Sequence, residues 1–283
     1  MASPRWRGAT RASEAMRSLA LMCGAGTLPL RMAAEARRQQ WRVVAFAFPG
    51  APELGAAADA VVPSRIDAMA PVIEALMRER VSAMLFSGKF WMGDLLAADA
   101  PDAAHARMAA SAGTLVDGNI TQAIVGTLAG LGVELLDQRP FLSDGLETAR
   151  TLSARAPSES EWSDIRRGFV VARLNADASV GQTVVVRRGA VSAVEAIEGT
   201  TETVRRGTRL SGPGAVVVKA VARDHDFRFD TPAIGPDTLD AAAAGGATAV
   251  AVEAGRVLVL ELATAVQRAD AVGIALVSAD AGD

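Results

Sequence analysis

LALMCGAGTLPLRMAAEARRQQWRVVAFAF, residues 19–48, reads as strand, glycine turn, helix and strand in quick succession. Leu19–Cys23 is an unbroken apolar run, and Gly24, Ala25, Gly26 and Thr27 form a turn. Leu28–Gln39 then carries helix formers with Pro29 in the first turn, and Arg42–Phe48 is a second apolar run. Strands that are apolar throughout, rather than alternating, belong to parallel sheets covered on both faces. The same alternation continues with a helix over Ala68–Arg80, a strand over Val81–Phe86, a helix over Ile120–Leu131 and a strand over Val133–Leu136. The expected fold class is therefore α/β, with a Rossmann-like N-terminal domain and parallel sheet over residues 17–147.

Upstream of this unit, Arg5, Arg7, Arg11 and Arg17 precede the apolar run Leu19–Met22. That run is too short for the apolar core of a signal peptide, so residues 1–16 read as a mobile extension. Leu19–Leu30 is broken by Gly and Pro, and Ala247–Val252 stops at Glu253. Both fall short of the roughly 18 apolar residues of a membrane span. Downstream, Ser, Glu and Pro accumulate and a linker is expected over 148–162. A second α/β domain is expected over 163–283. Its hairpin is Gln182–Val186 with Ala190–Ile197. Further strands are expected at Ala215–Ala220, Ala247–Val252 and Val257–Leu260, with helices at Pro236–Ala244 and Ala263–Ala269.

Composition excludes several functions. Of 283 residues half are hydrophobic, enough for two cores, and the net charge of −3 does not suit a nucleic-acid binder, whose affinity rests on many cationic contacts. The single cysteine, Cys23, rules out an internal disulfide. His105 and His225 are the only histidines and have no Cys or His neighbour at zinc-ligand spacing, and no GxSxG elbow is present.

Four stretches carry residue types suited to phosphate chemistry. Gly24–Pro29 sits between a strand and a helix, where backbone N–H groups can meet an anion; a plain strand-to-helix turn is the other reading. Ser87, Gly88 and Lys89 end a strand at the edge where open sheets bind ligands. Lys89 and Lys219 are the only lysines among 29 basic residues, and a compact ammonium suits a phosphate oxygen. Gly181 and Gln182, then Glu195, Glu198, Gly199 and Thr200, then Arg205 and Arg206, would make a phosphate corner. Asp224, Asp226, Arg228 and Asp230 recur at period two, and read as a strand they share one face. Grouped carboxylates can hold a magnesium ion or orient a water; a charged solvent face is the alternative.

In this order the segments resemble the LpxI-type UDP-2,3-diacylglucosamine pyrophosphatases, across nearly all of residues 19–278. The likeness rests on GAGTLP at 24–29, GK at 88–89, GQ at 181–182, VEAIEGT at 194–200, RR at 205–206, VK at 218–219 and DFRFDTPAIGPDT at 226–238. The resemblance implies a magnesium-dependent hydrolase that splits UDP-2,3-diacylglucosamine into UMP and 2,3-diacylglucosamine 1-phosphate in lipid A synthesis. It implies Asp230 as the essential carboxylate, with Asp226 and Arg228 beside it, and Asp230 with Glu198 at the metal. Gly24, Gly26, Leu28, Pro29, Lys89, Gln182, Thr200, Arg205, Arg206 and Lys219 are expected at the substrate. A cytoplasmic location with transient contact at the inner membrane follows from the lipid substrate, and a homo-oligomer is compatible with it. The chain departs from the family pattern at Gly118, at Ser179, at Thr201 and over Ala222–His225. A catalytically weakened relative that binds a nucleotide-sugar lipid or regulates the pathway is the competing reading.

Overall fold

The computed structural model describes residues 17–90, 102–112, 117–142 and 144–282, with the backbone alone for 108–112 and 117–123. The extension expected at 1–16 lies outside them, and the side chain environment at Gly118 is likewise not described. The chain forms two compact units. One takes the described residues up to Ala106 with Thr127–Leu135, and the other takes Arg107–Gly126 with Leu136 onward.

The first unit contains β1 (Ser18–Cys23), α1 (Leu28–Arg38), β2 (Arg42–Ala47), β3 (Ala60–Pro63), α2 (Met69–Arg78), β4 (Ala83–Ser87) and β5 (Glu134–Leu135). Helices α3 (Ala103–Ala112) and α4 (Asp117–Gly130) lie between β4 and β5 in the chain. The sheet order is β3-β2-β1-β4-β5, all parallel. β1 is buried along its whole length, as a central strand covered on both faces must be. α1 buries Pro29, Met32, Ala33 and Ala36, one face at helical spacing. The sequence pattern does not foresee β3. It is an edge strand of only four residues, AVVP, that alternates between half-buried and exposed and ends on Pro63, so its apolar run is too short to read as a strand.

The second unit contains β6 (Arg150–Thr151), α5 (Glu159–Asp177), β7 (Thr183–Arg187), β8 (Ala190–Val194), α6 (Thr200–Ser211) and β9 (Val216–Lys219). It continues with β10 (Ala233–Ile234), α7 (Pro236–Ala244), β11 (Ala249–Glu253), β12 (Leu258–Val259), α8 (Leu262–Val272) and β13 (Ala275–Ala279). Its six-stranded sheet has the order β6-β13-β11-β9-β7-β8. β9, β11 and β13 run parallel, while β7 opposes β9 and closes the expected hairpin with β8. Alternate residues of these strands feed two cores. Val185, Val217, Val250 and Leu276 pack with Val204 and Leu239 on one face, and Val184, Val218, Ala251 and Val277 pack with Ile165 and Phe169 of α5 on the other.

Residues 148–162, expected as a linker, hold β6 and the first turn of α5. That turn is set by a capping box: the Ser158 hydroxyl accepts the Glu161 N–H at 3.3 Å, and Glu161 accepts the Ser158 N–H at 2.7 Å. The box was the available sign of a helix whose apolar stripe is interrupted by the buried Asp164 and Arg173. Among the described residues no helix is long and apolar enough to cross a membrane.

Candidate functional site

Three of the four phosphate-type stretches are split between two places, each at the end of a parallel strand. In the first unit the chain runs β1, β2, β3 in one direction across the sheet and then returns to β4 on the other side of β1. The crevice beside β1 and β4 is therefore the topological switch point, where open sheets take ligands. There the turn after β1 and the turn after β4 bond to each other. Gly24 N–H donates to the Ser87 carbonyl at 2.8 Å, Ala25 N–H to the Lys89 carbonyl at 2.9 Å, and Lys89 N–H to the Ala25 carbonyl at 2.8 Å. A side chain at Gly24 would place its Cβ 2.5 Å from the Lys89 oxygen, and one at Gly88 would meet the Ala25 oxygen at 2.7 Å. Gly88 also has φ +83°, a region that side chains avoid. Two motifs read separately in the sequence are thus one backbone construction. α1 starts at Leu28 with Pro29 in its first turn and no side-chain cap, so its N-terminus faces this edge. The Ser87 hydroxyl is buried with no hydrogen-bond partner among the described residues.

The second place is built from side chains. Lys219, at the end of β9, is buried and donates to the Thr200 hydroxyl at 2.7 Å. Thr200, the first residue of α6, donates to Glu195 Oε1 at 2.9 Å, and Lys219 Nζ lies 3.9 Å from Glu195 Oε2. Glu195 also accepts the Gln182 N–H at 3.2 Å, and the Thr183 hydroxyl lies 3.4 Å from that of Thr200. The register explains the meeting, because Thr183 of β7 stands opposite Lys219 of β9. Gly181 is required next to it, since a Cβ there would lie 2.4 Å from the Glu195 carbonyl. Gly199 precedes α6 at φ +81° and ψ 170°, a conformation open to glycine alone, and no side chain caps the helix.

Around this cluster the arginines are already engaged. Arg206 donates to the Val194 carbonyl at 2.8 Å and pairs with Glu198. Glu198 also accepts from Thr203 Oγ1 at 3.2 Å and from the Ala196 N–H at 3.1 Å. Its carboxyl is held below the usual range, chiefly by hydrogen bonding to its own backbone N–H and then by Arg206. Arg205 pairs with Glu202 of the same helix turn on the exposed side of α6, so it stands apart from the buried group. Glu195 belongs to the phosphate corner expected from the sequence, whereas Thr183 and Asn175 do not, although Asn175 of α5 donates to the Glu195 carbonyl at 2.9 Å. No local pattern marks Asn175, which lies 20 residues from its partner.

The stretch Asp224–Asp230 corrects the expectation of a strand. It forms two turns, with His225 N–H bonded to the Ala222 carbonyl and Phe229 N–H to the Asp226 carbonyl, both at 3.2 Å. The physical reason is local competition. Asp226 accepts the backbone N–H of Arg228 at 3.1 Å and grips its guanidinium at 2.8 and 2.6 Å, an arrangement that bends the chain and takes it out of any ladder. This pairing lowers the Asp226 carboxyl's pKa and raises that of Arg228. The three acids therefore do not share a strand face. Asp230 is exposed at the end of the second turn, where its carbonyl accepts from His225 Nε2 at 3.0 Å. Thr231, directly after it, is buried with its hydroxyl unpartnered among the described residues. Among those residues no three His, Cys, Asp or Glu side chains gather into a metal cage.

Comparison with known proteins places these features in a family. The family model described as the LpxI N-terminal domain matches residues 18–145, and the one described as the LpxI C-terminal domain matches residues 148–277. The UDP-2,3-diacylglucosamine pyrophosphatase LpxI of Caulobacter vibrioides is 28% identical over 280 residues, covering 94% of this chain and 98% of that one. A solved biotin carboxylase complex from Campylobacter jejuni aligns with 70% of this chain and 43% of its own at 12% identity, with a TM-score of 0.27. That superposition carries no argument about fold or function.

Proposed function

The chain belongs to the LpxI family, and from that premise we propose that it hydrolyses UDP-2,3-diacylglucosamine to UMP and 2,3-diacylglucosamine 1-phosphate in lipid A synthesis. The observation that carries this reading is the meeting of Glu195, Thr200 and Lys219 at the end of β9, within a chain matched by both domain models. In the reaction a water oxygen bonds to one phosphorus of the diphosphate and the bond from that phosphorus to the bridging oxygen breaks. The water's hydroxyl stays on the attacked phosphate, and its other proton is left to the departing one.

Charge compensation is the main task of such a site, because negative charge spreads over the phosphoryl oxygens in the transition state. Lys219 supplies a buried point charge, fixed in direction by Thr200. The uncapped first turn of α6 adds backbone N–H groups nearby. Arg206 reaches phosphate by exchanging its partner Glu198. Asp230 holds magnesium or positions the attacking water. Magnesium binds through one or two carboxylates and takes its other ligands from water and phosphate. Asp230 would supply the carboxylate, and Glu198, paired with Arg206, would join it only after releasing that arginine. When bound, the ion neutralises phosphate charge and lowers the pKa of its water. The glycine turns at β1 and β4, with Lys89, Leu28 and Pro29, serve as substrate contacts. A diacyl substrate resides in a bilayer, so the enzyme meets it at the inner membrane's cytoplasmic surface.

The test is UMP release from UDP-2,3-diacylglucosamine with magnesium, and again after chelation, for the protein and its Asp230→Ala variant. Turnover that depends on both magnesium and Asp230 supports the reading. Tight substrate binding without turnover would replace it with a binding protein.

A further inference from the structure

The segment between Lys219 and Asp230 is held by buried charges. Val221 donates its N–H to Glu253 Oε2 at 2.9 Å, and its carbonyl accepts from Arg173 at 2.8 Å. Glu253 Oε1 pairs with Arg173 at 2.7 Å and with Arg256 at 3.3 Å. Arg256 donates onward to the carbonyls of Ala222 at 2.6 Å and Arg223 at 3.2 Å. Its guanidinium also lies 5.7 Å from the centre of the Phe227 ring, which Arg139 covers at 4.1 Å. The Phe227 carbonyl accepts the Gln138 N–H at 3.0 Å. These contacts tie down four carbonyls, three of them consecutive, one N–H and one ring in a stretch that has left the sheet.

Glu253 and Arg173 are 4% and 8% exposed. Taking charges out of water costs several kcal/mol per ion, and apolar residues of like volume would hold a core as well. What the charges add is direction, because each guanidinium and carboxylate grips particular backbone atoms. Backbone groups in a turn have no ladder to satisfy them, so this network also provides the partners they require.

We propose that Glu253, Arg173 and Arg256 are positioning residues of the hydrolase site: they hold residues 221–227 so that the turn ending at Asp230 is set relative to Lys219. This rests on the reading that Asp230 serves the reaction. Arg256 is the cleanest probe, because its loss leaves Glu253 still paired with Arg173. With the full chain and UDP-2,3-diacylglucosamine, Arg256→Met is expected to lower kcat about tenfold, since small displacements of reacting groups are costly. KM should stay within about twofold, because substrate grip elsewhere is untouched. Glu253→Gln, which keeps an acceptor for Val221 but loses the charge, should show the same split together with a lower Tm. Unchanged kcat in Arg256→Met while Asp230→Ala is inactive would overturn this inference alone. A kcat loss matched by an equal rise in KM or by melting near the assay temperature would also overturn it, as a purely structural effect. Full turnover in Asp230→Ala would overturn the reading of the site and this inference with it.

Discussion

The two strand-end sites solve similar problems with opposite materials. At the β1 and β4 turns the construction is main chain, with Gly24, Gly88 and their carbonyl partners in contact and only Lys89 carrying charge. At the end of β9 it is side chain, with Glu195, Thr200 and Lys219 bonded in a buried group. A backbone site tolerates almost any neighbouring side chain but no Cβ at Gly24 or Gly88, where main-chain oxygens stand in the way. A side-chain site tolerates backbone adjustment but not the loss of one charge, because the partner is left buried and unpaired.

The largest effect that would sharpen this contrast is on turnover. Asp230→Ala is expected to lower kcat by roughly a hundredfold or more, the scale of a lost acid, base or metal-positioning group, as read by UMP release. Lys219→Met follows, with at least about a tenfold loss of kcat and about 1–3 kcal/mol of stability from the stranded Glu195, seen as a shifted denaturant midpoint. If Lys219→Met left turnover intact, the side-chain site would be structural only.

In the backbone site the expected loss is one of stability and geometry. Gly24→Ala puts a Cβ 2.5 Å from a main-chain oxygen that cannot swing away, and about 1–3 kcal/mol is expected from such overpacking. Gly26→Ala, at φ +98° with nothing within 4 Å, should cost about 1 kcal/mol through conformation alone. Equal losses at the two glycines would break the claim that close approach of the turns is what Gly24 permits.

Smaller effects test the surroundings. Burial would raise the Glu161 carboxyl, but bonds from Arg155, Thr248 and Ser158 outweigh it and bring the pKa from 4.5 to about 2. A depressed carboxyl stabilises the fold fully above its unfolded pKa and loses that contribution as pH falls toward the folded value. Glu161→Gln should therefore be less stable at neutral pH, with its denaturation curve converging on the parent's between pH 4.5 and 2. Smallest of all, burial pushes the Cys23 thiol up to about 12, so the native protein should react with a thiol reagent only on unfolding.

Legibility followed the range of the interaction. The run from Leu19 to Phe48 was readable because each of its elements depends on neighbours within a helical turn or a strand. α7 at Pro236–Ala244 was legible for the same reason, with Pro in its first turn and glycines beyond its end. α5 was not, because its stripe includes charged residues whose partners, such as Glu253, lie 80 positions away. The Asp224–Asp230 stretch misled because alternation at period two is shared by strands and by turns in which Asp bonds its own backbone.

From residues alone, the α/β class, the parallel first sheet, the hairpin of the second and the glycine turns at strand ends were all determined, since apolar runs, helix spacing and turn chemistry are local properties. Tertiary structure decided which polar groups meet. Lys219 finds Thr200 only because β7 runs antiparallel beside β9 and α6 starts where that edge ends, and Glu253 grips Val221 only because β11 lies next to β9. Strand order is set by the packing of whole layers, and no local spacing in the chain encodes it.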